Sequence, residues 1–253
     1  MKRAPEVALA VLMLAFVCVP AGQARAADQR YLVSGRDSFV IGDGDIQSEV
    51  NYRGSQVLTV TRRGKTTRYA AKVSYVRDDQ GAASPANADF TIEYSAHGDP
   101  IASADHDPDY LTVLNQPFSA QLDLKTLNDL RQLRATAPFD VPSPFTSTTF
   151  HGRLERIGVG TIGSRQALGV RFEAGGPMKG SLPDRPGLKL VGGIVMGGTA
   201  YYDLETAMLL SLDATVTISG TVSNRSSNDP VTIVYRRTLR AEVGIPNTEA
   251  SRR

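Results

Sequence analysis

Cysteine is almost absent from this sequence: Cys18 is the only one among 253 residues. It falls inside an apolar run, Ala8 to Val19, that is too short to span a bilayer. Lys2 and Arg3 precede the run, Pro20 and Gly22 end it, and Ala24-Arg25-Ala26 has the small-x-small form of a cleavage site. Residues 1–26 therefore read as a signal peptide, with the mature chain opening at Ala27. Phe16 and Val17 are too bulky for the signal that would make Cys18 a lipid attachment point. The exported chain then has no thiol. That excludes thiol catalysis, and it excludes disulfides in the oxidising space where they would be usual, so the core must hold the fold unaided.

Charge of one sign is also lacking. The chain has 28 basic and 26 acidic residues, and the leader removes Lys2, Arg3, Arg25 and Glu6, which leaves the two signs equal. A neutral mature chain gives no electrostatic footprint for nucleic acid or anionic lipid. No second apolar run is long enough to cross a membrane as a helix. Gly-x-Ser-x-Gly and His-Glu-x-x-His are both missing, so no motif announces an enzyme. The expectation is a non-catalytic protein without a cofactor, periplasmic or secreted.

What is abundant is period-two alternation. From Met208 to Ile218, apolar Met208, Leu210, Leu212, Ala214, Val216 and Ile218 share one face, and Ser211, Asp213, Thr215 and Thr217 the other, with Leu209 as an apolar outlier. This predicts a half-buried strand. A turn at Asp203-Leu204-Glu205-Thr206 joins it to a glycine-punctuated strand from Ile194 that ends in Tyr201-Tyr202. Asp203 reads as a turn residue rather than an acid catalyst.

Similar alternation predicts strands over Ile46–Arg53, Gln56–Thr61, Thr66–Val76, Ala88–Ser95, Thr149–Ile157, Leu168–Glu173 and Val231–Val243. Arg62-Arg63-Gly64-Lys65 closes a hairpin with a solvated basic tip. Loops are expected over residues 78–88, 96–110 and 223–229, and a turn over Gly158–Gly163. Residues 138–145 carry three prolines and must be extended, away from a sheet centre, anchored by Phe139, Val141 and Phe145. Residues 175–189 carry Pro177, Pro183 and Pro186 and read as irregular, with Met178, Leu182 and Leu188 as apolar residues of a mobile strap. One helix is predicted, Leu122–Arg134, with leucines at Leu124, Leu127, Leu130 and Leu133, Asp123 as its cap and Pro138 as its stop. The fold class is mainly β: one domain over residues 27–243, an antiparallel curved sheet forming a half-barrel or barrel, with one short helix packed on it and a flexible tail over 244–253.

The polar residues offer two candidate sites. His97, Asp105, His106, Asp107 and Asp109 place carboxylates at alternating positions with two imidazoles, a donor set for a divalent cation. Tyr110 stands where a calcium loop needs its glycine and Gln116 where it needs its glutamate, and Asp with Pro108 equally shapes turns. His151 stands alone in a strand, with Glu155 on its face. The second candidate is Arg237, on the face of Val231, Ile233, Tyr235, Leu239, Ala241 and Val243. It must be paired inside the fold, or snorkel, or meet an anionic headgroup in a wet cavity. With Met178, Leu182, Tyr201 and Tyr235 it forms the candidate ligand-cavity set.

The run Tyr201-Tyr202-Asp203-Leu204-Glu205-Thr206, followed by the Met208 to Ile218 alternation, resembles the late hairpins of bacterial envelope proteins with the LolA-type lipoprotein-carrier fold. That resemblance implies an open half-barrel around an apolar cavity, plugged by short helices, and a carrier or chaperone role. The expected partner is a lipid or other apolar ligand, or, where the core is filled, another envelope protein. Use of the His97–Asp109 segment as a metal-dependent active site is the third expectation.

Overall fold

A computed structural model describes residues 26–42, 44, 46–97, 99–116, 120–132, 135–142, 149–182, 185–224 and 227–244. The predicted leader, up to residue 25, and the predicted tail beyond Gly244 lie outside the described residues, as does Phe145. Among the described residues the strands are β1 (Ala26–Ile41), β2 (Ile46–Arg63), β3 (Thr66–Asp79), β4 (Ala82–Tyr94), β5 (Pro100–His106), β6 (Thr136–Pro142), β7 (Thr149–Ile162), β8 (Arg165–Leu182), β9 (Arg185–Asp203), β10 (Leu209–Asn224) and β11 (Ser227–Val243). A 3₁₀ turn (Val113–Asn115) and the helix α1 (Leu124–Gln132) lie between β5 and β6.

All pairings are antiparallel and the strands make one open sheet, ordered β5-β4-β3-β2-β1-β11-β10-β9-β8-β7-β6. It does not close, so of the two predicted architectures the half-barrel holds and the barrel does not. The order has a simple origin. The chain meanders outward from β1 to one free edge, crosses to the opposite edge, and meanders back until β11 pairs with β1. The described part of this crossing, residues 107–116, 120–132 and 135, runs over the concave face and carries the 3₁₀ turn and the helix.

Alternation sets the two faces. Tyr31 and Val33 of β1, Tyr52, Gln56 and Leu58 of β2, Tyr69, Ala71, Val73 and Tyr75 of β3, and Leu239 and Ala241 of β11 point inward and are buried. Leu111, Val113, Ala120, Leu127 and Leu130 from the crossing segment complete this core. Main-chain bonds tie the segment down, from Leu122 N to Ala207 O and from Leu209 N to Ala120 O. The Val113 N–H donates to Gln56 Oε1 at 2.8 Å. The helix begins at Leu124 rather than Leu122: Asp123 caps it by accepting the Thr126 N–H at 2.8 Å, and Leu124 is exposed while Leu127 and Leu130 are buried. Leu133 lies outside the described residues.

Tight turns hold the register. Gln80 and Gly81 both have positive φ, 53° and 92°, as a two-residue type I′ hairpin requires, so the predicted 78–88 loop shrinks to a turn and β4 begins at Ala82. Three other predicted loops are also strand: 96–110 contains β5, 175–189 is the β8–β9 hairpin, and 223–229 is the β10–β11 hairpin. The 158–163 turn falls later, at Gly163-Ser164, and the two strands predicted over 46–61 are continuous through Gly54. In the late hairpin a bulge between Leu209 and Ser211 puts Leu209 into the core beside Leu212, and Leu210 is buried as well, which explains the apolar outlier.

Prolines stand in three of these stretches. Pro85 sits on β4 beyond the last residue that pairs with β5, Pro177 sits on β8 beyond the last that pairs with β7, and Pro138 is on the edge strand β6. Each lies where its strand has no second neighbour, the one place in a sheet where a missing N–H costs nothing.

Candidate functional site

Beyond the crossing segment the concave face carries a second apolar cluster. Phe150 of β7, Ala174 and Met178 of β8, Leu190, Ile194 and Met196 of β9, and Ile218 of β10 are buried there. Phe139, Val216, Val222, Ile233 and Tyr235 pack against them. Register explains the grouping: Met178 lies opposite Gly192, Gly192 opposite Gly220, and Gly220 opposite Ile233. The two glycines leave bare backbone between Met178 and Ile233. A Cβ at either would press into the facing strand's main chain, so neither position has room for a side chain.

A recess of about 460 Å³ opens beside this cluster, where β7 ends and β8 runs on alone. Ala174 and Ile194 belong to both recess and cluster, whereas His151, Arg153, Glu173 and Val195, which also line the recess, alternate with the inward residues and lie on the outward face. His151 pairs with Asp140, Nδ1 to Oδ1 2.7 Å, rather than with Glu155, which lies 3.6 Å from Arg171. A second recess of about 490 Å³ lies elsewhere on the sheet, among Arg36, Asn51, Arg53, Asp78, Asp213 and Arg240.

On the far side of the cluster lies a polar seam. Arg237 and Asp37 are direct neighbours across the β1–β11 ladder. Arg237 Nε donates to Asp37 Oδ1 and a terminal nitrogen to Asp37 Oδ2, both at 2.7 Å, and the other terminal nitrogen approaches the Tyr110 carbonyl at 3.4 Å. The guanidinium also lies 5.8 Å from the centre of the Tyr52 ring. Burial opposes its charge, but the hydrogen bonds it donates to Asp37 outweigh that and hold it firmly protonated. Of the alternatives open for Arg237, the structure shows the internal pair.

The seam extends into the crossing segment. The Tyr52 hydroxyl lies 3.1 Å from Asp37 Oδ2 and 3.5 Å from Asp109 Oδ1. Tyr75 donates to Asp109 Oδ2 at 2.6 Å, and Arg77 lies 3.4 Å from Asp109 and 3.6 Å from Asp79. Burial, then the neighbouring aspartates, raise the Tyr52 hydroxyl well above the tyrosine range, and burial with the Asp109 bond does the same to Tyr75. Asp37 was legible as a charge at an inward position of β1, after Tyr31, Val33 and Gly35; its partnership with Arg237 was not.

The predicted metal residues do not converge. Asp107 is buried and accepts the Leu111 and Thr112 N–H groups at 2.9 and 2.7 Å, Asp105 accepts the Asp107 N–H, and Asp109 belongs to the seam. His106 Nδ1 lies 3.2 Å from Asp89, and His97 is exposed in the turn before β5. Among the described residues no group of three or more metal-ligating side chains is assembled. Asp203 accepts the Glu205 and Thr206 N–H groups at 2.8 and 3.1 Å, the turn role expected of it.

Of the cavity candidates, Met178 and Tyr235 belong to the second cluster and Arg237 bounds it. Tyr201 points to the convex side, where its ring covers Gly169. Met178 reaches its place on a strand, not on a mobile strap. The side chains of Leu182 and Leu188 lie outside the described residues. No helix among the described residues is long and apolar enough to cross a membrane.

No family model matches the sequence, and no curated protein matches it. Among solved structures, the chain is similar to lipovitellin, from work on its lipid–protein interactions, with 10% identity, 88% of this chain and 25% of that one covered, and a TM-score of 0.42. It is also similar to a Bacteroides fragilis protein provisionally described as an outer membrane protein, with 7% identity, 83% and 96% covered, and a TM-score of 0.15. The chain spans about a quarter of the length of lipovitellin.

Proposed function

We propose that this is an exported, non-catalytic binding protein that carries an apolar or amphipathic ligand on the concave face of its open sheet. One observation carries the reading. The crossing segment fills the first core, and a second apolar cluster on the same face, with Val216, Val222, Ile233 and Tyr235 only partly buried, includes none of the crossing segment's residues. Partly exposed apolar side chains on a concave face are the chemistry of a ligand seat. The open sheet plugged by a short helix also fits the layout that the lipoprotein-carrier resemblance implies. Export rests on the leader pattern of residues 1–26.

Native mass spectrometry of protein purified without detergent tests it. The expected spectrum shows a bound amphiphile that dissociates on activation, or uptake of one from phospholipid vesicles. An unliganded mass that takes up nothing would overturn the proposal. A second reading, an envelope component that acts through protein contacts, is favoured by how completely Leu111, Val113, Leu127 and Leu130 fill the first core. It would be left standing by that negative result together with recovery of a specific partner from envelope extract.

A further inference from the structure

We infer that an internal water molecule bridges β2 to the crossing segment, bound by Gln56 and Thr112. The inference is independent of the carrier reading. Among the described residues, two buried side-chain atoms lack a hydrogen-bond partner, Gln56 Nε2 and Thr112 Oγ1. They belong to one place in the fold. Gln56 Oε1 accepts the Val113 N–H at 2.8 Å, and Thr112 is the residue before Val113. Both side chains are fully buried, in the core that Leu58, Leu111 and Val113 help to form.

The surrounding groups are already engaged. Turning the Gln56 amide over would set its NH2 group against the Val113 N–H, donor against donor. The cross-strand neighbours of Gln56 are Tyr31 on β1 and Val73 on β3. The Tyr31 hydroxyl donates to the Leu209 carbonyl and accepts from Gln29 Nε2, both at 2.9 Å, and valine has no polar side-chain atom. At Thr112 the N–H goes to Asp107 Oδ2 at 2.7 Å, and the carbonyl accepts the Asn115 N–H at 3.1 Å and Gln116 Nε2 at 3.2 Å. Left unmet, each orphaned atom would carry the full cost of its desolvation.

The chemistry of the two atoms selects the bridging species. Nε2 offers N–H donors and no lone pair, which excludes a cation. An anion would sit in an apolar core close to the Asp107 carboxylate, which opposes it. Water accepts from Nε2 and meets the threonine hydroxyl as donor or acceptor, and two protein partners fall within the range of about two to four that internal waters use. The bridge also has a place in the architecture. Polar contacts hold the crossing segment to β2 and β3 at Asp109 with Tyr75, at Val113 with Gln56 and at Gln121 with Tyr69. The water makes the middle contact a clamp on two consecutive residues and fixes the amide that receives the Val113 N–H.

A crystal structure that shows ordered solvent, and NMR of the nitrogen-15 labelled protein, test it. The expected density holds a water within hydrogen-bond reach of both Gln56 Nε2 and Thr112 Oγ1. In solution the Gln56 side-chain NH2 protons should show a cross-peak to water with the sign of a long-lived internal molecule. Thr112→Val removes the hydroxyl at nearly constant shape. It should abolish that cross-peak and speed exchange of the Val113 N–H about tenfold, the effect of one buried polar group losing its partner. Thr112→Ser keeps the hydroxyl and should retain both the cross-peak and the protection. A direct bond between Nε2 and Oγ1, or density with no water between them, would overturn the inference. So would a Thr112→Val protein in which the cross-peak and Val113 exchange are unchanged.

Discussion

Asp37 and Arg237 stand opposite one another on the β1–β11 ladder, where the half of the sheet made first meets the half made last, and two guanidinium nitrogens each lie 2.7 Å from a carboxylate oxygen. The pair is 200 residues apart in sequence and mostly buried. It therefore reports on whether the two meanders have joined. Asp37→Asn keeps the shape but leaves a buried cation without its counter-ion, and should destabilise the protein by about 3–5 kcal/mol. Replacing both residues, as Asp37→Leu with Arg237→Met, should recover most of that loss, because it removes two desolvated charges together. Urea unfolding of the two variants beside the parent measures both effects.

The crossing segment should be held by its two inward leucines rather than by the helix itself, since nine residues make a marginal helix in water. Leu127→Ala or Leu130→Ala should each cost about 2–5 kcal/mol. Leu124→Ala, at a side chain 53% exposed, should stay within about 0.5 kcal/mol. Asp123→Ala removes the cap and should cost about 1 kcal/mol. Hydrogen exchange should show the loss of protection concentrated in α1 for the cap variant.

Gly192 and Gly220 face each other across the β9–β10 ladder, with no room for a Cβ at either. Gly192→Ala would drive a methyl group into the Ser219 carbonyl and the Gly220 main chain, so it should destabilise by at least the 1–3 kcal/mol, about, of an overpacked core. Gly160→Ala, with open space around its α-carbon, is the control and should be near neutral. Thermal unfolding followed by circular dichroism distinguishes them.

Alkaline pH should weaken the fold. Tyr31, Tyr52, Tyr75, Tyr202 and Tyr235 all titrate above the ordinary tyrosine value of 10.0 in the folded protein, with burial as the first cause in each. The unfolded chain releases those protons from about pH 10, while the folded chain retains them. The stability contributed by the neutral, buried phenols is thus complete below pH 10 and is lost as pH rises from 10 through the raised folded values. Each such tyrosine adds up to about 1.4 kcal/mol of loss per pH unit in that window. Denaturant unfolding at pH 8, 10 and 11, with phenolate absorbance recorded alongside, should show ionisation and unfolding in one step. Tyr202→Phe should make the decline shallower.

Individual strands were legible because inward and outward residues alternate over long stretches, as along Leu212, Ala214, Val216 and Ile218 of β10. Where reading failed, the cause was usually a residue whose meaning depends on its neighbours. Pro85 and Pro177 look like strand breakers until the adjacent strand is known to stop short of them. Leu209 looks like an error of alternation until the bulge beside it is known.

The same holds for the candidate site. Arg237 was conspicuous as a charge on an apolar face, and Met178 and Tyr235 were recognisable as apolar material needing cover. The metal expectation over His97–Asp109 gave way because Asp107 and Asp109 spend their oxygens on local N–H groups and on Tyr75, a choice set by how the crossing segment descends onto the sheet. The sequence by itself determined the strand-rich class, the one helix and the two-faced character of each strand, because alternation and capping are local properties of consecutive residues. Only the tertiary structure decided that the sheet stays open, that β11 returns to β1, and that Asp37 answers Arg237. Those outcomes depend on which distant strands become neighbours, and no local pattern encodes that.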